Sequence, residues 1–87
     1  MEILYSPEFK RRYQRLSPLV KKRAEAKERV FRKDPFHPQL KTHKLRGRLD
    51  NFWAFSVDYQ FRIVFAFFGE KEVRFYAIGD HSLYKKF

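Results

Sequence analysis

The chain contains no cysteine, so disulfide staples and thiolate metal sites are excluded. Glycine occurs only three times, too rarely for a glycine-rich phosphate loop. Acidic side chains are in short supply. Ten Asp and Glu face twenty Lys and Arg, leaving a formal net charge of +10. The opening residues, Met1 to Tyr5, show no basic start followed by a long apolar run, so no secretion signal is read there. Long hydrophobic runs are missing as well. Arg62 and the Gly69–Glu72 turn interrupt the most apolar region, well short of the roughly 20 apolar residues a membrane helix needs. Repeats and low-complexity linkers are also absent. A cytoplasmic protein without a membrane partner is the expectation.

What remains is rich in aromatics and in positive charge. The 87 residues fit one domain, 1–87, and a domain of this size buries only a modest share of its surface. Eleven phenylalanines can fill such a core with few side chains. The strong positive field favours polyanions such as nucleic acid, or an acidic protein.

Glu2 to Tyr5 reads as a short strand. Ser6, Pro7 and Glu8 then form a helix start: a capping hydroxyl, a proline suited to the first turn, and an acid at the positive end of the dipole. Phe9, Tyr13 and Leu16 make one apolar stripe. Ser17 and Pro18 repeat the signal, so a second helix begins at once. Its inner face is expected at Leu19, Ala26 and Val30, joined by either the stem of Arg23 or Ala24. Glu25–Arg29 and Glu28–Arg32 are spaced as helical ion pairs. Pro35 and Pro38 end the helix, and Gln39 to Thr42 reads as an exposed connection. His43 to Arg46 begins a short strand, and Arg48 to Asn51 a turn.

Three alternating runs follow, around Trp53–Val57, Phe61–Phe68 and Val73–Ile78. Asp58 and Tyr59 make one turn. Gly69 and Glu70 suggest a two-residue hairpin, which would pair Phe68 with Lys71 and Arg62 with Ala77. In any register Arg62 faces away from Phe61, Ile63, Phe65 and Phe67. Those four are expected to meet the helices, leaving Arg62 on an uncovered face. The fold class is therefore α+β: two N-terminal helices on one face of a small, mainly antiparallel sheet, in the order β-α-α-β-β-β-β.

The chemistry-bearing set is Arg62, His81 and Tyr84, with His43, Lys44 and Arg46 expected nearby. RNA cleavage needs a base for the 2′-hydroxyl, an acid for the leaving oxygen, and positive charge for the transition state. A histidine can fill either proton-transfer role, and an arginine fork can hold two phosphate oxygens. Tyr84, Trp53 and Phe55 can stack on bases. Each has a structural alternative: Arg62 paired with Asp58 or Asp80, His81 at a strand end, Tyr84 in the core. Three histidines without spaced carboxylate partners argue for no metal and no cofactor.

Over nearly its whole length the chain resembles the RelE/ParE superfamily of toxins. The resemblance rests on the Ser6–Phe9 start, the helix pair, H-K-L-R-G at His43–Gly47, F-R-I-V-F at Phe61–Phe65 and I-G-D-H-S-L-Y at Ile78–Tyr84. It implies a type II toxin–antitoxin toxin. In the RelE branch that is a metal-independent endoribonuclease, an mRNA interferase cutting mRNA on the ribosome. In the ParE branch it is a gyrase inhibitor. An inactive antitoxin partner is a third alternative. An acidic antitoxin and a toxin–antitoxin hetero-oligomer are implied as well. By the resemblance, Arg62 binds the scissile phosphate, His81 is acid or base, and Tyr84 assists. His43 matches a histidine of some nucleases, and Lys41, Lys44 and Arg46 would hold RNA backbone. The chain departs before Arg62, where Trp53 and Phe55 replace two basic residues of several nucleases.

Overall fold

The computed structural model describes residues 1–46 and 51–85. Its elements are strand β1 (Glu2–Tyr5), helices α1 (Pro7–Gln14) and α2 (Pro18–Lys33), and strands β2 (His43–Lys44), β3 (Trp53–Ser56), β4 (Arg62–Phe68) and β5 (Glu72–Gly79). A 3-10 turn at Pro38–Leu40 precedes β2, and a 3-10 helix at His81–Lys85 follows β5. This is the expected order. The turn expected at Arg48 to Asn51 lies, but for Asn51, outside the described residues, as does Gly47.

Both helix starts form as the sequence indicates. Ser6 Oγ accepts from the Phe9 amide at 3.0 Å, and Ser17 Oγ accepts from the Val20 amide at 3.2 Å. Each satisfies an amide that the first turn leaves without a partner. Two tyrosines tie the helices down. Tyr5 donates to Glu28, and Tyr13 donates to Glu25 at 2.6 Å. Burial and then the Glu25 carboxylate push the Tyr13 phenol up to about 12. Glu28 also pairs with Arg32 at 3.3 Å, as its spacing suggests, whereas Glu25 serves Tyr13.

The inner face of α2 meets the expectation at Ala24 and at Val30, which packs against the core, but not at Leu19. Ala24 and Phe31 are the buried residues, and Leu19 is 56% exposed. Ala24 and Phe31 lie seven apart, on one face. Leu19 stands five residues before Ala24, about 140° round the helix at 3.6 residues per turn. Phe31 is the centre of the core, its ring 4.9 Å from Phe55, 5.0 Å from Phe65 and 5.5 Å from Phe75. Truncating such a residue to alanine costs about 3–5 kcal/mol, comparable with the total stability of a small domain. The segment Gln39–Thr42, expected to be exposed, folds inward at one point: Leu40 is fully buried.

The sheet runs β1-β5-β4-β3-β2, with β1 parallel to β5 and every other pair antiparallel. The β4–β5 hairpin has three loop residues, not two, and Gly69 sits at φ 66°. Phe68 therefore pairs with Glu72 and Arg62 with Gly79. Between Val64 and Phe65 the register slips, because Ala77 and Phe75 are their partners and Tyr76 is an extra residue. Such a bulge resets the alternation of its strand. Phe75 stays in the helix-side core, Ala77 joins the opposite cluster, and Ile78 returns to the helix side. Ala77 and Ile78 thus lie on the faces that the expected pairing gave them, whereas Phe75, which that pairing set beside Val64 on the Arg62 face, is reversed. The Tyr76 carbonyl accepts from the Ser6 hydroxyl at 2.8 Å, so the bulge is tied to the start of α1.

Ile63 and Phe65 lie in the helix-side core, with Phe61 and Phe67 packed against it, as expected. The face expected to be uncovered is partly covered. Leu45, Ala54, Val64, Ala77 and Leu83 form a second cluster there, with Phe52 and Tyr84 against it. Leu83 comes from the 3-10 helix, which folds back at Gly79. A Cβ at Gly79 would meet Leu83 Cγ at 3.1 Å, so only glycine allows this close approach without adjustment.

Candidate functional site

A cleft of about 820 Å³ lies at one end of the second face. Six parts of the chain build it. The 3-10 turn and the residue after it supply Gln39 and Lys41, the β3–β4 loop supplies Asp58, Tyr59 and Gln60, β4 supplies Arg62, and the 3-10 helix supplies His81. Lys27 from α2 closes the rim, and Ser56 forms part of the wall.

Local chemistry explains each placement. Lys41 adopts a left-handed backbone at φ 52° and donates its amide to the Pro38 carbonyl at 3.3 Å. With Leu40 sunk in the core, the chain must turn sharply, and Lys41 turns into the cleft. His81 follows Asp80, whose Oδ1 accepts from the Ser82 amide at 2.9 Å. The Ser82 hydroxyl and amide, together with the nearby His81, hold the Asp80 carboxyl below the usual range. Two residues on, Leu83 anchors the 3-10 helix in the second cluster.

Arg62 is half-buried and forms no ion pair with Asp58 or Asp80. Its Nη1 donates to the backbone carbonyls of Asp58 at 2.8 Å, Phe61 at 3.1 Å and Tyr59 at 3.3 Å. The Asp58 carboxylate serves other donors. Its Oδ1 accepts the Gln60 and Phe61 amides, both at 2.8 Å, and its Oδ2 pairs with Arg23 of α2 at 3.0 Å. Burial pushes the Asp58 carboxyl up, but the Phe61 and Gln60 amides and the Arg23 guanidinium outweigh this and set it below the ordinary value. Tyr84 lies behind Arg62. Burial raises its phenol, and the charge and hydrogen bonding of Arg62 pull it only partly back. Tyr84 is therefore protonated at neutral pH. Its ring is 6.1 Å from that of His81.

The sequence-based site is thus divided. Arg62, His81 and Lys41 line one cleft, with Tyr84 behind it. His43, Lys44 and Arg46 are exposed on β2 and just after it, outside the cleft lining. His43 turns its Nδ1 to the Lys41 carbonyl at 3.1 Å. Trp53 is on the helix side of the sheet, 5.5 Å from Phe36 and 5.6 Å from Phe67. Phe55 beside it is fully buried. Neither ring can meet a base at Arg62, because the strand alternates and Ala54 and Ser56 take the Arg62 face.

Sequence reasoning missed Lys27, Gln39, Tyr59 and Gln60. Tyr59 had a readable signal: an aromatic in a turn after Asp58, here 96% exposed at the cleft rim. Among the described residues no group of three or more His, Asp or Glu could hold a metal ion. No helix among them is long and apolar enough to cross a membrane.

The arrangement can bind an anion between Lys27, Lys41 and Arg62 and move a proton at His81. No family model matches the chain, and no curated protein matches its sequence. Solved structures match its fold. The YoeB/ParE toxin from Agrobacterium tumefaciens superposes with a TM-score of 0.79 at 18% identity, covering 93% of this chain and 99% of that one. The toxin–antitoxin complex RelB–RelE from Methanococcus jannaschii gives 0.75 at 16% identity, over 97% and 98%. YafQ from E. coli gives 0.74 at 16% identity, over 95% and 96%.

Proposed function

We propose, taking the RelE/ParE toxin fold as the premise, that this protein is the toxin of a type II toxin–antitoxin pair and cleaves mRNA on the ribosome. The observation that carries the reading is the single cleft uniting Arg62, His81 and Lys41. In this reaction the 2′-oxygen attacks phosphorus, the bond to the 5′-oxygen breaks, and a cyclic phosphate and a free 5′-hydroxyl result. Arg62 holds the phosphate and stabilises the charge that builds on its oxygens. His81 is the only histidine lining the cleft among the described residues, and an imidazole is suited to proton transfer near neutral pH. Tyr84, protonated and beside Arg62, orients the fork and can donate to a phosphate oxygen. Lys27 and Lys41 hold the flanking backbone, and Tyr59 offers a stacking surface at the rim. The chemistry requires no metal.

A net charge of +10 suits an acidic antitoxin as partner, by electrostatic complementarity. The structurally similar RelB–RelE pair was solved as an antitoxin–toxin complex. The protein would work in the cytoplasm, where its ribosomal target is.

A specific observation favours a second reading, a gyrase inhibitor without nuclease activity. Beside Arg62 the same face of β3 offers Ala54 and Ser56, both buried, not a basic pair. One experiment separates the two: incubation with mRNA on programmed ribosomes, with free RNA and His81→Ala in parallel. Cleavage that needs both the ribosome and His81 is expected. Intact mRNA with folded wild-type protein would reject the nuclease reading, and gyrase would become the target to assay.

A further inference from the structure

We infer that Asp58 is a positioning residue for Arg62, and that Arg23 anchors Asp58 to helix α2. The rate measurement below rests on the nuclease reading, while the binding measurement does not. The β3–β4 loop is held from two sides. On one side the Asp58 carboxylate takes the Gln60 and Phe61 amides at 2.8 Å each and the Arg23 guanidinium at 3.0 Å. On the other, the carbonyls of Asp58, Tyr59 and Phe61 close on Arg62 Nη1 at 2.8, 3.3 and 3.1 Å. The loop is thus clamped between a carboxylate and a guanidinium, and each clamp sets the geometry of the other.

All three carbonyl contacts use one nitrogen. The remaining donors of the fork are left for Tyr84 and for an anion in the cleft. A long, flexible side chain fixed in this way binds phosphate without first having to be ordered. Arg23 keeps half its side-chain surface in water, and an exposed pair of that kind adds little stability. Its effect is to fix where the Asp58 carboxylate sits. The alternative is that Asp58 does no more than stabilise its turn.

Simple electrostatics and positioning predict opposite signs. Asp58→Asn removes a negative charge from the cleft lining, which by Coulomb attraction alone would tighten anion binding. Positioning predicts weaker binding. The test uses the full-length protein with inorganic phosphate as probe, followed by NMR at the Arg62 Nε–Hε resonance, assigned by its loss in Arg62→Lys. Phosphate affinity is expected to fall several-fold in Asp58→Asn and Arg23→Ala and to recover in Arg23→Lys. Asp58→Asn keeps an oxygen for the loop amides, which Asp58→Ala would leave without a partner. A core variant of matched stability, Phe31→Leu, is expected to keep wild-type affinity. In the ribosome assay Asp58→Asn should lower kcat about tenfold with little change in KM, the pattern of a misplaced group. Unchanged or tighter phosphate binding in Asp58→Asn overturns the inference, and so does an equal loss in Phe31→Leu. Should wild type leave mRNA intact, the nuclease reading falls and the phosphate measurement alone decides the role of Asp58.

Discussion

Substituting Gly79 by alanine tests how the 3-10 helix is seated. The new methyl would lie 3.1 Å from Leu83 Cγ and 3.3 Å from both Leu83 Cδ2 and an Arg12 nitrogen. Arg12 is flexible and can give way. Leu83 is only 1% exposed and has little room to move. Overpacking of this kind costs about 1–3 kcal/mol. Loss of backbone freedom in the unfolded chain returns about 0.4–1 kcal/mol, because the φ at this position suits alanine. The net expectation is a loss near ~1 kcal/mol, which lowers Tm by about 4–8 °C in a domain of this size. The informative step is to repeat the substitution in a Leu83→Ala background. Leu83→Ala alone should cost about 2–5 kcal/mol for the cavity it leaves. With the clash gone, Gly79→Ala should then be stabilising by about 0.4–1 kcal/mol. Urea unfolding of the four proteins in the cycle measures both values. Additive effects, with Gly79→Ala costing the same in both backgrounds, would refute the contact as the reason for glycine.

Further outcomes follow from the same geometry. Arg62→Lys should lose about 10²–10³-fold in mRNA cleavage, since an ammonium lacks the fork that receives the phosphate; single-turnover rates on ribosomes give the value. His81→Ala should lose about 10²-fold or more while its Tm moves by no more than about 2 °C, because the side chain is exposed and surface changes are small in energy. The folded Asp58 carboxyl lies below its ordinary value, so its contribution to stability is present above the unfolded pKa of about 3.9 and is lost as pH falls through the folded value. Melts from pH 7 downward should therefore show Asp58→Asn less stable than wild type at neutral pH, with the gap closing below the carboxylate range. Tyr13 should titrate near 12 by ultraviolet absorbance, and Glu25→Gln should bring it down. Its raised value means stability that is fully present below the unfolded pKa and disappears as pH rises through the folded one.

The helical half was legible because its signals are local. Ser6 with Pro7 and Ser17 with Pro18 state where each helix begins, and no distant contact can change that chemistry. The strand faces were legible along β4 and at Ala77 and Ile78, but not at Phe75. The third residue of the hairpin loop moved Phe75 to the helix side, the bulge at Tyr76 restored the expected faces beyond it, and a string of apolar residues reads equally well in either register. Phe31 was overlooked as the centre of the core because its helix is crowded with charge, and only the sheet shows which stripe is buried. Arg62 and His81, singled out by residue type, do come together in one cleft. Lys27 and Gln39 reach the cleft by folding across long sequence distances, and no spacing announces them. His43, Lys44 and Arg46 were expected near Arg62 in the fold, whereas β2 and the residues just after it carry them along the sheet edge, outside the cleft lining.

The parallel pairing of β1 with β5 joins Glu2 to Glu72, and this has a bearing on biosynthesis. During translation the first strand and both basic helices leave the ribosome long before the strand that closes the sheet. Until then the rings of Phe9 and Phe31 have no β5 to cover them, and closure must await contacts of high sequence separation, which form slowly. His81 is made later still. A growing chain therefore acquires its positive charge early and the histidine of its cleft last, so an interrupted copy is a sticky polycation with an incomplete cleft.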